Sequence, residues 1–169
     1  MKFSIFQQSR QGGRKYNQDR VAYSYSKDAV LMVVADGMGG HFHGEVAAQI
    51  TVQMIADMFQ KHAQPLLKDP HRFLSAAMNS GHEAILDYTN KHKLMESPRT
   101  TCVAAVVQQN HAYWAHVGDS RLYMFRGMRL IARTKDHSKV QQMHDDGKIS
   151  AQEMYPHPER NTIYNCLSG

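Results

Sequence analysis

The sequence predicts an α+β fold, with antiparallel β-sheets flanked by helices, and three changes of hydrophobic period carry that reading. Residues 20–25 and 29–35 show strand character. Apolar residues then recur at helical spacing through two long segments, from Val46 to Phe59 and from Phe73 to Tyr88. After Pro98 the pattern returns to strands. Strands, then helices, then strands is the layout of helices covering an antiparallel sheet.

Taken in order, residues 20–25, with VAYSYS following Arg20, alternate and read as a half-buried strand, while AVLMVVA at 29–35 reads as a fully buried one that runs into Asp36. DGMGGHFHG follows, with four glycines in nine positions, and predicts a tight irregular turn. The first helix has Val46, Ile50, Met54 and Met58 on one stripe, widened by Ala47, Ile55 and Phe59, and ends before Pro65. The second opens at Asp69, an N-cap residue with Pro70 at the first helical position. Its apolar face is Phe73, Ala77, Ala84, Ile85 and Tyr88. Residues 101–108 and 111–117 predict a strand pair turning at Gln109-Asn110, and residues 121–125 and 128–132 a hairpin turning at Arg126-Gly127. A helix over about 138–146 stops at Gly147, with Asp136 or Ser138 as its cap. Ser150 and Glu153 form a capping-box pattern for a last one.

The 169 residues suffice for one domain, and a hydrophobic fraction of 42% with 21% charged residues is an ordinary globular composition. The formal net charge of +5 suits anionic partners. No Lys/Arg run or aromatic-basic stripe accompanies it, so nucleic acid is not expected. Cys102 and Cys166 form no CxxC pair, which argues against a disulfide framework and for a reducing compartment. The N-terminus lacks the apolar core of a signal peptide, and the run Ala29 to Ala35 is too short to span a membrane. A cytoplasmic protein with no membrane partner is the expectation.

Four blocks carry chemistry-bearing residues: Gly13-Arg14 with Asn17-Gln18-Asp19-Arg20; VVADGMGGHFHGE at 33–45; Thr100-Thr101 followed by HVGDSR at 116–121; and TKDHS at 134–138. Asp19, Asp36 and Asp119 each stand at or near a predicted strand end. Hard divalent cations take carboxylate, carbonyl and water oxygens. Asp36 offers the first kind and the Gly37 carbonyl the second, with no side chain to obstruct it. Each Asp taken alone is equally a turn residue. Arg14 presents a planar fork suited to phosphate oxygens, and alone would be read as a solvated surface arginine. His41, His43 and Glu45 form an H-x-H-x-E pattern compatible with Zn or Fe, while the plainer reading places Glu45 in the first turn of a helix.

Together these blocks, RxxNQDR, VVADGMGGHxxGE, TTxxA, HVGDSRLY and DHS, resemble the bacterial branch of the metal-dependent serine/threonine phosphatases of the PP2C (PPM) type, in order and approximate spacing. The resemblance spans nearly the whole chain and implies an α-β-β-α sandwich. It implies that Asp36 bridges two metal ions with the Gly37 carbonyl as a further ligand, that Asp19 reaches one metal partly through water, and that Asp119 serves a third, weaker site. The implied cofactors are Mn or Mg ions, and Arg14 would hold the substrate phosphate. A hydroxide shared by the two metals would attack phosphoserine or phosphothreonine in phosphorylated protein substrates, and an opposing serine/threonine kinase would be a partner. Where eukaryotic members have a general-acid histidine this chain has Met38, which leaves His41 or water for the task. Gln18 stands where many members have glutamate. Family members continue with a second Asp-Gly block and a final Asp-Asn block, each with a metal ligand, whereas this chain ends at NCLSG. The resemblance therefore implies a partial domain over 1–169, truncated at its C-terminus, with an incomplete sandwich, weak metal binding and little activity. The alternative is an inactive fragment or a non-catalytic phosphoprotein-binding module.

Overall fold

The computed structural model describes residues 1–38 and 43–168. The elements are β1 (Asp19–Tyr25), β2 (Ala29–Met38), α1 (Gly44–His62), α2 (Pro70–His92), β3 (Arg99–Thr100), β4 (Cys102–Gln108), β5 (His111–Val117), β6 (Tyr123–Arg126), β7 (Arg129–Arg133), α3 (Lys139–Asp145) and α4 (Ala151–Met154). β1, β2, β4 and β5 lie side by side in that order, and β3 pairs with the far end of β2 to complete a five-stranded sheet; β6 and β7 form a separate two-stranded sheet. All pairings are antiparallel.

α1 and α2 cover one face of the larger sheet. Leu31, Val33 and Ala35 point into that layer and are buried against Val52, Ile55, Phe59, Leu74 and Ile85. The alternate residues of β2 point the other way: Met32 and Val34 are 38% and 40% exposed, and Asp36 shares their face. The β6–β7 hairpin overhangs this second face, where Tyr123, Phe125 and Trp114 border a shallow apolar depression with Met32 and Val34. The α+β class is thus as expected, with helices on one side of the large sheet and a mostly uncovered apolar surface on the other.

Local chemistry sets the helix ends. Asp69 Oδ1 accepts from Arg72 N at 3.0 Å ahead of Pro70. Ser138 caps α3, and Ser150 and Glu153 make the reciprocal capping box of α4. Asp136, the other candidate cap for α3, is instead committed to Arg121. The β4–β5 turn has both Gln109 and Asn110 at positive φ, 49° and 61°, as a tight two-residue hairpin requires.

The short strand β3 is not expected from the sequence, and the larger boundary differences are at the end of β2 and in the hairpin after β5. β2 runs through Asp36 and Gly37 to Met38, because Gly37 and Met38 find partners in Thr100 and Arg99. The hairpin after β5 turns at Gly127-Met128, one residue later than predicted, and a bulge between Met124 and Phe125 absorbs the shift.

Candidate active site

Asp19 and Asp36 are directly opposite each other in the β1–β2 ladder. Cross-strand partners share a face and stand side by side, so the register alone brings the two carboxylates together at one end of the sheet. An Asx turn places Asp19, whose N–H donates to Asn17 Oδ1 at 2.9 Å.

The Asp36 backbone is held from the opposite side by Thr100 and Thr101. Thr101 N and Thr100 Oγ1 both donate to the Asp36 carbonyl at 2.9 Å, and Asp36 N donates to Thr101 Oγ1 at 3.2 Å. Both threonines are fully buried. Thr101 Oγ1 also bonds Ser120 Oγ at 2.6 Å, which ties the Asp36 strand to the segment carrying Asp119. The sequence showed this threonine pair as a block without a role; its role depends on a contact 64 residues away.

Gly37 sits where the first turn of α1 crosses β2. A Cβ added there would lie 2.3 Å from the Gly44 carbonyl oxygen and 2.9 Å from that of Gln18, so no other residue fits this backbone. Gly118 is required for a second reason. Its φ is +99°, and a Cβ would fall 2.5 Å from Thr101 Cγ2. The two glycines let three segments close on one another, and Asp19, Asp36 and Asp119 lie on those segments.

Asp19, Asp36, Gly37 and Asp119 line a cleft of about 630 Å³ together with Arg14 and Asn161. Its electrostatics are those of crowded acids. Partial burial and the charge of Asp19 raise Asp36 from 3.8 to about 6; a hydrogen bond from Asp19 and the charge of Asp119 add to the rise, and Arg14 opposes it. Burial likewise raises Asp119. Arg14 lies in the exposed loop before β1, near enough for its charge to act on Asp36. Asn161, which the sequence did not single out, lines both this cleft and a neighbouring depression of about 890 Å³ over α3 and α4, as does Asp119.

His41 lies outside the described residues. Of the H-x-H-x-E pattern, Glu45 lies in the first turn of α1 and accepts from Gln18 Nε2 at 3.4 Å. Burial raises the thiols of both cysteines, Cys102 to about 12, a setting opposed to thiolate nucleophiles.

The donors fit a hard divalent cation in kind. They are the carboxylate oxygens of Asp19, Asp36 and Asp119, with one glycine flanked too closely for any side chain. Among the described residues no three His, Cys, Asp or Glu side chains converge tightly enough to enclose an ion by themselves. The described set is one wall of a site, open toward the cleft.

A paired-carboxylate site at one end of an antiparallel sheet, with an arginine beside it, defines an acidic centre suited to cations and phosphate. The chain belongs to the protein phosphatase 2C family, whose model matches residues 7–143. It is 35% identical over 158 residues to the serine/threonine protein phosphatase PstP of Mycobacterium tuberculosis, covering 92% of this chain and 29% of that protein. It is 31% identical to the serine/threonine phosphatase stp of Listeria monocytogenes, covering 91% of this chain and 62% of the relative. The fold superposes on serine/threonine phosphatase Stp1 from Staphylococcus aureus with a TM-score of 0.83 at 29% identity, covering 93% of this chain and 62% of that one. It superposes on the catalytic domain of PstP in complex with two manganese ions with a TM-score of 0.75 at 31% identity, over 92% of this chain and 62% of the other. The chain thus spans less than two thirds of the length of these relatives.

Proposed function

We infer that this chain carries the bridging half of the catalytic centre of a metal-dependent protein serine/threonine phosphatase. The observation that carries the reading is the Asp19–Asp36 pair, two carboxylates placed together by strand register, with Asp36 raised to about 6. Two like charges held together store unfavourable energy that a divalent cation relieves.

Asp19, Asp36 and the Gly37 carbonyl would hold the Mn or Mg pair, and Asp119 a third, weaker ion. Cations bound there acidify water and neutralise phosphate charge. Arg14 would take two phosphate oxygens in its planar fork and orient the phosphorus toward the carboxylate end of the sheet. Its charge is already at work on Asp36. His41 is proposed as the proton donor to the leaving serine or threonine oxygen. This rests on its place five residues after Asp36 and on the suitability of imidazole for that task near neutral pH.

Substrates are phosphoserine and phosphothreonine proteins, with an opposing kinase in the same compartment. No helix among the described residues is long and apolar enough to cross a membrane, and we place the protein in the cytoplasm. Phosphate release from a phosphothreonine peptide tests the reading. It should require added Mn²⁺, and Asp36→Asn and Arg14→Ala should each reduce it strongly. Release that persists in chelator and in Asp36→Asn would overturn it.

A further inference from the structure

The loop that carries Asp119 is fastened to residues 134–137 by paired contacts at both ends. At one end Leu122 N donates to Thr134 Oγ1 and Thr134 N donates to the Leu122 carbonyl. Between them Arg121 grips the buried Asp136 carboxylate with two N–H groups at 2.6 and 2.7 Å. At the other end His137 N donates to the Gly118 carbonyl at 2.9 Å, and Gly118 N donates to His137 Nδ1 at 3.2 Å. One residue thus holds both polar groups of Gly118, whose carbonyl belongs to the peptide linking it to Asp119.

The Gly118 N–H requires an acceptor, so His137 Nδ1 carries no proton here and the neutral ring holds its hydrogen on Nε2. Burial and the neighbouring His116 ring favour that form. His116 of β5 stacks on it with centroids 4.5 Å apart, and His116 itself donates from Nε2 to the Lys135 carbonyl at 2.7 Å. Tyr164 lies against the ring at 5.8 Å, and Tyr164 N donates to the His137 carbonyl at 3.1 Å. Burial and the His116 ring oppose a positive charge on His137; among the described residues only Asp136 favours one, and its carboxylate is already bound to Arg121. Lys135, the remaining charge on this segment, pairs away with Asp145.

Resting on the phosphatase reading above, we propose that His137 is a positioning residue for Asp119: its unprotonated Nδ1 fixes the Gly118 peptide and thereby the aim of the neighbouring carboxylate into the cleft. Gly118 needs such an anchor. At φ +99° it is free of the restraint a Cβ imposes, and only packing and hydrogen bonds define its conformation. The anchor also couples the Asp119 loop to the segment with Asn161 and Ile163, both on the cleft wall, through the Lys139 N–Thr162 O bond and the Ser138–Ile163 bridge.

The test uses the 169-residue chain and three forms: wild type, His137→Phe and His137→Asn. Phenylalanine keeps a flat ring without an acceptor, whereas the asparagine Oδ1 takes the place of Nδ1. The first readout, free of metal, is hydrogen exchange of the Gly118 amide by NMR. The phenylalanine variant should exchange roughly fivefold faster, the size expected for one lost hydrogen bond, and asparagine should restore protection. In wild type the protection, corrected for intrinsic exchange, should fall only at acid pH, below the ordinary imidazole range, while His137→Asn stays flat. The second readout is the affinity of the weakest Mn²⁺ site by EPR titration, which should weaken in His137→Phe and recover in His137→Asn. Unchanged Gly118 exchange in His137→Phe would overturn the proposal, as would an exchange change that leaves the weakest Mn²⁺ site unaffected. Should the phenylalanine variant not fold, a pH-independent wild-type Gly118 amide would overturn it equally. Absence of Mn²⁺ binding in every form would count against the phosphatase reading and with it the role assigned to Asp119, while the exchange data still decide whether His137 holds Gly118.

Discussion

Replacing Asp36 by asparagine should stabilise the metal-free chain, although it removes the residue at the centre of the proposed site. The carboxyl titrates at about 6 instead of 3.8, so the folded state binds its proton more tightly than the unfolded state does. For a raised acid the sign is unfavourable: ionising Asp36 costs stability as pH climbs from about 4 to 6, and the penalty stays in full above that. The shift corresponds to roughly 3 kcal/mol before solvent screening, and because Asp36 is an exposed residue screening cuts this to about 1 kcal/mol. The isosteric amide removes the charge. Thermal unfolding in chelator at pH 7 should then show Asp36→Asn melting about 3 °C above wild type. At pH 4.5 the gain should be smaller, because part of the wild-type carboxyl is then protonated when folded. A variant that melts lower at pH 7, or by the same margin at both pH values, would refute the claim that the Asp19–Asp36 pair is electrostatically strained.

Other substitutions probe the supports of that pair. Gly37→Ala sets a methyl against the Gly44 carbonyl at 2.3 Å, and should cost about 3 kcal/mol or prevent folding, read by denaturant unfolding. Thr101→Val removes the acceptor of Asp36 N and the partner of Ser120 without changing volume; a loss of about 2 kcal/mol is expected from the same measurement. Arg121→Ala strands the buried Asp136 carboxylate, and a loss of about 2 kcal/mol is expected from the same denaturant measurement. Arg14→Ala removes a nearby charge that holds Asp36 down, so the Asp36 carboxyl should titrate above 6 when followed by carbon NMR.

Much of the scaffold is legible in the sequence because it is built from local signals. Asp69-Pro70, Ser150 with Glu153, and the change from period 3.6 to period 2 after Pro98 are all short-range, and each marks the element expected from it. The misplaced boundaries have tertiary causes. The glycine-rich stretch after Asp36 has turn chemistry, yet Gly37 and Met38 remain in the sheet because Arg99 and Thr100 arrive to pair with them. The acids themselves stand out by motif, and register explains why Asp19 and Asp36 meet. What holds them is not legible: Thr100 and Thr101 act on Asp36 across 64 and 65 residues, and His137 acts on Gly118 across 19. Such contacts depend on backbone groups, which leave no residue-type signature. Neither does Asn161 on the cleft wall, a residue of ordinary polarity in a loop.

The central claim is that Asp36 anchors a divalent cation site, and a Mn²⁺ titration followed by EPR addresses it most directly. Wild type should bind Mn²⁺ at pH 7 and lose affinity as pH falls through about 6, where Asp36 takes up its proton. Asp36→Asn should weaken binding at least about tenfold, while His43→Ala leaves it unchanged. Binding that survives Asp36→Asn, or that is lost in His43→Ala instead, would contradict the account.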